Sequence, residues 1–136
     1  GPLASQVPGG CLAAAGSARA GHTGVVLGPC RGAAQAWAAL PGGTVRSRGK
    51  CLEVNHTSSA GKFPVDLAAC TGRPAQRWTV TAVPGRPAGS GSWLRNRAAG
   101  RCLADPAAPG ATFAGHPAAV TAPCSAAAPG IAWQLR

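Results

Sequence analysis

Short segments with apolar residues at every second position recur along the chain. Val25-x-Leu27 and Val65-x-Leu67 have the two-residue period of a β-strand with one buried face. Val45-Arg46-Ser47 and Leu94-Arg95-Asn96 form a second matched pair of segments, and each leads into a cysteine. Turns rich in glycine and proline, such as Pro41-Gly42-Gly43, separate these segments. The pattern predicts an all-β fold of short strands joined by turns.

Composition argues against long helices. The 136 residues include 20 glycines and 13 prolines spread along the whole chain, and both residue types penalise helix interiors. The 6 cysteines and 4 tryptophans, together with the regularly placed valines and leucines, can form a packed core, which argues against disorder. We therefore expect one folded domain in which no helix exceeds about two turns.

The chain contains three copies of one unit of roughly forty residues. Each unit opens with Cys-Leu and carries a second cysteine 19 to 22 positions later, followed by a tryptophan. These landmarks are Cys11, Cys30 and Trp37, then Cys51, Cys70 and Trp78, then Cys102, Cys124 and Trp133. Gln35 and Gln76 complete Gln-x-Trp triplets, whereas the third unit has Ile131 at that place. Because one unit cannot bury its tryptophan alone, we expect the repeated tryptophans and glutamines to pack in one core around a common axis.

The cysteines indicate disulfides and an oxidising compartment. No Cys-x-x-Cys pair is present, and an even number of cysteines is typical of disulfide-bonded extracellular domains rather than zinc sites. We therefore expect a secreted or cell-surface protein. The sequence shows no secretory signal and no apolar run long enough to cross a bilayer, so this segment is not expected to insert into a membrane. Gly1-Pro2 is typical of a cleaved purification tag, which predicts that residues 1–6 lie outside the fold and that the domain belongs to a larger protein.

The threefold succession of Cys-Leu, Val-x-Leu, a second cysteine and Gln-x-Trp resembles the ricin-type (ricin B-like) β-trefoil lectins over residues 7–136. The resemblance implies a β-trefoil with pseudo-threefold symmetry and repeats at about 7–43, 44–90 and 91–136. It also implies one disulfide within each repeat, namely Cys11–Cys30, Cys51–Cys70 and Cys102–Cys124. In that family each repeat can carry one shallow sugar site.

The sugar sites implied by the resemblance use four places: an Asp after Cys-Leu, a polar residue four before the second cysteine, an aromatic two before it, and an Asn before Gln-x-Trp. The first repeat has Ala13, Val26, Gly28 and Ala34 there, and the third has Ala104, Val120, Ala122 and Gly130. The second repeat keeps Glu53 and Asp66 but has Ala68 and Ala75 in the aromatic and Asn places. We therefore predict a ligand site at Glu53 and Asp66 with His56 nearby, which recognises charge rather than stacking and weakens with salt. The alternative is that both carboxylates only pair with surface arginines.

The chain is strongly basic. Its net charge is +10, with 13 lysines and arginines against Glu53, Asp66 and Asp105 as the only acids. One interpretation is affinity for polyanions such as nucleic acid, teichoic acid or acidic glycans; the other, which we favour, is the composition of a GC-rich bacterial genome. No basic run is interleaved with aromatics, so nucleic acid is not an expected partner.

Three further features carry weaker predictions. His22 and His116 occupy the same place in two repeats and Lys62 occupies it in the second, which suggests a turn that tolerates polar residues. Trp93, the tryptophan outside the repeat, is either a solvent-facing stacking platform or a plug at the end of the barrel. No catalytic triad or carboxylate pair fits general acid/base chemistry, so we expect neither an enzyme nor a cofactor nor a metal.

Two functions remain open from the sequence. The first is an extracellular carbohydrate-binding module, attached to a larger secreted or surface protein and binding a polysaccharide or cell-wall glycan as a monomer. The second is a degenerate trefoil that binds a protein partner or acts as a sensory ectodomain. The resemblance supports the first, whereas the missing Asp, Asn and aromatic residues support the second.

Overall fold

The computed structural model describes residues 2–5, 10–19, 21–28, 30, 36–39, 42–55, 65–85, 91–105, 112–113, 116–125 and 129–135. These residues contain β1 (Leu3–Ser5), β2 (Cys11–Arg19), β3 (His22–Gly28), β4 (Ala38–Ala39), β5 (Val45–Ser47), β6 (Lys50–Val54), β7 (Val65–Ala68), β8 (Trp78–Ala82), β9 (Ser92–Asn96), β10 (Cys102–Ala104), β11 (Thr112–Phe113), β12 (His116–Pro117), β13 (Val120–Ala122) and β14 (Trp133–Leu135). The helical segments among them are single 3-10 turns at Pro74–Gln76 and Pro129–Ile131. No helix in the described ranges is long and apolar enough to span a membrane. The all-β prediction is confirmed.

Antiparallel pairing joins the repeats into one curled sheet. The strand order is β13-β10-β9-β14-β1-β2-β3-β7-β6-β5-β4, with β8 paired to β9, and β11 pairs separately with β12. The longest contact is the β2–β3 hairpin, and β3 then pairs with β7 of the second repeat. β1 pairs with β14, so the sheet includes Leu3–Ser5, which lie before the predicted boundary at residue 7. The chain is a β-trefoil of the predicted type.

The repeated tryptophans are buried and make the same hydrogen bond in each repeat. Each side chain is no more than 2 % exposed, and its indole Nε1–H donates to the carbonyl oxygen of the leucine in Cys-Leu. The bonds are Trp37 to Leu12 at 2.7 Å, Trp78 to Leu52 at 3.0 Å and Trp133 to Leu103 at 2.9 Å. The repeated Cys-Leu and Trp therefore form one structural unit, in which the leucine contributes both a buried side chain and an acceptor.

The disulfides follow the predicted pairing. They join Cys11 to Cys30, Cys51 to Cys70 and Cys102 to Cys124, and the first cysteine of each pair is fully buried. Each closes a loop of about 20 residues, which by the chain-entropy estimate stabilises the fold by roughly 3 kcal/mol. The disulfides therefore tie the buried start of each repeat to its surface loop.

The prediction that β3 and β7 each have one buried face is wrong. The burial of Val25, Val26 and Leu27 is continuous in β3, as is that of all four residues of β7. Val26, on the second face of β3, forms a bridge to Ala118 along the edge of the strand. Asp66, on the second face of β7, lies opposite Gly24 of β3. Both strands are therefore flanked by neighbours from other repeats, and residues on both of their faces are buried.

Candidate functional site

The two acids of the second repeat lie directly opposite each other. Glu53 in β6 pairs in register with Asp66 in β7, and the two residues are only 6 % and 5 % exposed. Opposed like charges destabilise a strand pair, and buried carboxylates need hydrogen bonds or counter-charges. The site is therefore an interior carboxylate pair, not the exposed, salt-screened pair that we predicted from the sequence.

His22 reaches this pair from the first repeat. Its Nδ1 lies 2.9 Å from Asp66 Oδ1 and 3.8 Å from Glu53 Oε2. The β3–β7 register, with Gly24 opposite Asp66, carries His22 to this position. His22 pairs with Arg19 across the turn at Gly21, which has φ 72°, and begins β3. His116 likewise begins a strand, β12.

Gln76, the glutamine of Gln-x-Trp, positions Glu53. Its buried amide oxygen accepts hydrogen bonds from the backbone N–H of Thr71 at 2.8 Å and of Gly72 at 3.2 Å. Its amide nitrogen donates to Ala69 O at 2.8 Å and to Glu53 Oε1 at 3.2 Å. Gln76 therefore fixes both the loop that follows Cys70 and the carboxylate of Glu53.

An arginine contacts the same carboxylate from the solvent side. Arg73 Nη2 lies 3.4 Å from Glu53 Oε1, and the arginine side chain is 64 % exposed. Its Nε donates to Thr71 Oγ1 at 2.9 Å, which orients the guanidinium. Such an exposed pair contributes at most about 1 kcal/mol. The sequence left open the alternative that both carboxylates only pair with surface arginines. That alternative accounts for one contact of Glu53, but it does not account for the burial of the carboxylates.

The same residues have the composition of a metal-binding set. One ligand atom from each of His22, Glu53 and Asp66 lies within 4.8 Å of the others. An imidazole nitrogen with two carboxylate oxygens suits a first-row divalent ion such as Zn²⁺ or Mn²⁺. We expected no metal from the sequence, where His22 does not stand out as a donor because it lies 44 positions from Asp66.

Removing His22 is expected to destabilise the fold through the carboxylates. In a His22→Ala variant Asp66 loses the imidazole that lies against its buried carboxylate, which should lower the free energy of unfolding by about 1–3 kcal/mol. Lys50→Gln is the matched control, because Lys50 Nζ donates to the Oγ1 of Thr23, the residue next to His22 in β3. We expect the control to lose about 0.5–1 kcal/mol in urea unfolding. Equal stability of His22→Ala and the parent would contradict this role.

The third repeat has no room for a family-type side chain at its Asn place. A Cβ on Gly130 would collide with the carbonyl oxygen of Asp105, whose own N–H donates to Gly130 O at 2.8 Å. In the first repeat Val26 is buried at the polar place. His56, Gln35, Ala34 and Lys62 lie outside the described residues. The two carboxylates of the family-type site therefore come together in the second repeat, joined by His22 and Gln76.

Comparison with known proteins agrees with this architecture. The sequence profile of the ricin-type beta-trefoil lectin domain matches residues 1–133. The hemolytic lectin CEL-III is 20 % identical and superposes with a TM-score of 0.73 over 100 % of this chain, which spans 32 % of CEL-III. The designed threefold protein ThreeFoil is 18 % identical with a TM-score of 0.78, and the match covers 98 % of this chain and 94 % of ThreeFoil.

A third similar structure carries a sugar. It is a non-toxic homologue of type II RIPs from Momordica charantia (bitter gourd) in complex with alpha-methyl-D-galactoside, 25 % identical with a TM-score of 0.68. The match covers 98 % of this chain and 45 % of that protein. A comparison with curated protein sequences gave no significant match. The family match over residues 1–133, the trefoil architecture and the repeated Trp–Leu hydrogen bond establish that this chain belongs to the ricin-type β-trefoil lectin family.

Proposed function

We propose that this chain is an extracellular, non-catalytic carbohydrate-binding module whose sugar site lies in the second repeat around Glu53. The observation that carries the proposal is the position of the Glu53 carboxylate, which directly follows Cys-Leu and is held by Gln76. Ala13 and Ala104 stand at the equivalent places of the other repeats and offer no such acceptor. The sugar bound by the Momordica charantia homologue supports a saccharide ligand for this fold.

The contacts around Glu53 favour recognition by hydrogen bonds. A carboxylate accepts hydrogen bonds from sugar hydroxyls, and the exposed guanidinium of Arg73 provides donors beside it. Ala68, which is buried at the place of the family's aromatic residue, provides no ring for stacking. The ligand we propose is therefore a hydroxyl-rich saccharide bound through Glu53 and Arg73, with Asp66 and His22 supporting the carboxylate from behind.

Two features support the extracellular and non-catalytic parts of the proposal. Three disulfides require an oxidising compartment to form and persist. The match to the ricin-type beta-trefoil lectin domain supports a binding role rather than a catalytic one. We propose that the chain acts as one module of a larger secreted or surface protein, as the matched part of CEL-III is one third of that lectin.

A glycan array followed by calorimetry tests this function. The saccharide that binds best is titrated into the parent, into Glu53→Gln, which keeps the side-chain shape, and into the double variant Glu53→Ala/Asp66→Ala. We expect Glu53→Gln to weaken binding at least about tenfold, which is 1.4 kcal/mol, and the double variant to abolish it. Because both carboxylates are buried, moderate salt should change the affinity little.

The control is Ala13→Ser, which alters the first repeat and should bind as the parent does. Undiminished binding of a neutral sugar by the double variant would contradict the placement of the site at Glu53. Silence toward every glycan on the array would instead favour the degenerate trefoil that binds a protein partner.

A further inference from the structure

The β8–β9 hairpin presents a polar face that belongs to none of the family-type sites. Thr79 pairs in register with Arg95, and Thr81 pairs with Trp93. Because side chains alternate along a strand, these four lie on one side of the hairpin. The other side carries the buried residues Trp78 and Leu94. We call the side formed by Thr79, Thr81, Trp93, Arg95 and Arg97 the Trp93 face.

Trp93 differs from the other tryptophans in both exposure and hydrogen bonding. It is partly exposed, whereas the other three are buried. Its indole Nε1 is enclosed but has no hydrogen-bond partner among the described residues. Buried donors are almost always paired in native proteins, so a donor without a protein partner is a sign of a water or ligand acceptor. The prediction of a stacking platform, one of the two alternatives for Trp93, is the one that this position favours.

The Trp93 face forms a groove of about 550 Å³ lined by Thr79, Thr81, Trp93, Arg95, Asn96 and Arg97. This volume lies within the usual range for small-molecule sites, about 300–1,000 Å³. Both guanidinium groups are exposed, and the ion pairs formed within the described parts of the chain involve neither of them. The groove therefore combines an aromatic ring, two hydroxyls and two cations without a paired acid.

We propose that the Trp93 face binds an acidic saccharide, such as a uronic-acid or sulfated sugar. The apolar face of the sugar ring packs on Trp93, while Thr79 and Thr81 bond to its hydroxyls. Its carboxylate or sulfate lies against Arg95 and Arg97, because a guanidinium matches planar and tetrahedral oxyanions with paired N–H donors. The net charge of +10 draws such polyanions toward the domain. This site is independent of the site proposed at Glu53.

An acidic saccharide fits this face better than nucleic acid does. Single-stranded nucleic acid is bound by a succession of aromatic rings along a basic groove. The face has one ring, and the next described tryptophan in sequence, Trp78, is buried on the opposite side of the same hairpin. A single ring flanked by two guanidinium groups and two hydroxyls suits one charged sugar residue and the sugar residues next to it in the saccharide.

The indole fluorescence of Trp93 provides a direct test. Because the other tryptophans are buried, protection from acrylamide quenching on adding a ligand reports on Trp93. The probes are an oligogalacturonate for carboxylates, a heparin-type oligosaccharide for sulfates, a neutral cello-oligosaccharide, and a single-stranded oligonucleotide of the same charge. We expect protection by one or both acidic saccharides at low salt, loss of that protection at high salt, and none from the neutral one.

Variants separate this site from general charge attraction. The double variant Arg95→Gln/Arg97→Gln should lower the affinity for the acidic saccharide at least tenfold without changing the midpoint of urea unfolding. Arg46→Gln/Arg48→Gln changes the net charge equally through exposed arginines away from this face and should have little effect. Equal weakening by both pairs, no response to either acidic saccharide, or tighter binding of the oligonucleotide would each overturn the proposal. Glu53→Gln should leave this binding unchanged, so failure at one site is distinguishable from failure at the other.

Discussion

Replacing Trp78 with alanine is expected to lower the free energy of unfolding by about 3–5 kcal/mol, the cost typical of deleting a buried tryptophan. The side chain is 2 % exposed, and its indole N–H bonds to Leu52 O, so the substitution leaves both a cavity and an unpaired buried carbonyl. Small domains are stable by only about 5–15 kcal/mol, so this single change should remove a large part of the total. The measurement is urea unfolding followed by circular dichroism.

Two further variants separate the contributions at this position. Trp78→Phe keeps most of the apolar volume but loses the indole donor, and should cost about 1–3 kcal/mol for the unpaired carbonyl. Val80→Ala, two residues along β8 at a position that is 52 % exposed, should change stability by no more than about 0.5 kcal/mol. A loss at Val80 as large as that at Trp78 would show that the repeated tryptophan has no special place in the core.

The repeat could be predicted because its signals are local. Cys-Leu, the second cysteine and the tryptophan stand in each unit at nearly equal spacing, and each performs the same task in all three repeats. The disulfides and the three Trp–Leu hydrogen bonds express that regularity in the structure. Secondary structure and the core of each unit are therefore readable from the order of residues within that unit.

The features that sequence reasoning missed arise between repeats or between strands. His22 joins the carboxylates of the second repeat because β3 pairs with β7, a contact that no spacing within one repeat reveals. The same pairing places Gly24 opposite Asp66 and His22 against its carboxylate. Trp93 and Arg95 lie on one face because alternate residues of β9 point the same way, and Arg97, just after the strand, lines the same groove. The sequence signal for a basic binding face is a run of basic residues interleaved with aromatics, and a face built from two strands contains no such run.

Gln76→Leu is the second change with a large expected effect. Leucine fits the volume but offers no polar atoms, so the backbone N–H groups of Thr71 and Gly72 and the carbonyl of Ala69 lose their partner. A fully buried group left unpaired costs about 1–3 kcal/mol, but Ala69 and Thr71 are exposed and Gly72 is partly exposed, so access of water should limit the total to about 3–5 kcal/mol. Gln76 therefore matters to stability as much as the tryptophan two residues later.

The same substitution should also impair the site. Without the amide of Gln76, the exposed Arg73 is the one partner that the described residues leave to Glu53 Oε1, so the carboxylate is no longer fixed in orientation. We therefore expect Gln76→Leu to lower the affinity for the saccharide at the Glu53 site, even at temperatures where the variant remains folded. Binding to the Trp93 face, which Gln76 does not line, should persist and provides an internal check that the variant is folded.

Thr71→Val is the matched control for Gln76→Leu, because it alters the same loop but removes only a hydroxyl that contacts Gln76 Oε1 at 3.4 Å and Arg73 Nε at 2.9 Å. The backbone N–H of Thr71 keeps its bond to Gln76, so the loss should stay below about 1 kcal/mol. Urea unfolding of both variants, with calorimetry of the Glu53 ligand at a temperature below both midpoints, measures the two effects separately. If Gln76→Leu were as stable as Thr71→Val and bound the ligand as well as the parent does, the glutamine of Gln-x-Trp would be a packing residue and not the group that positions Glu53.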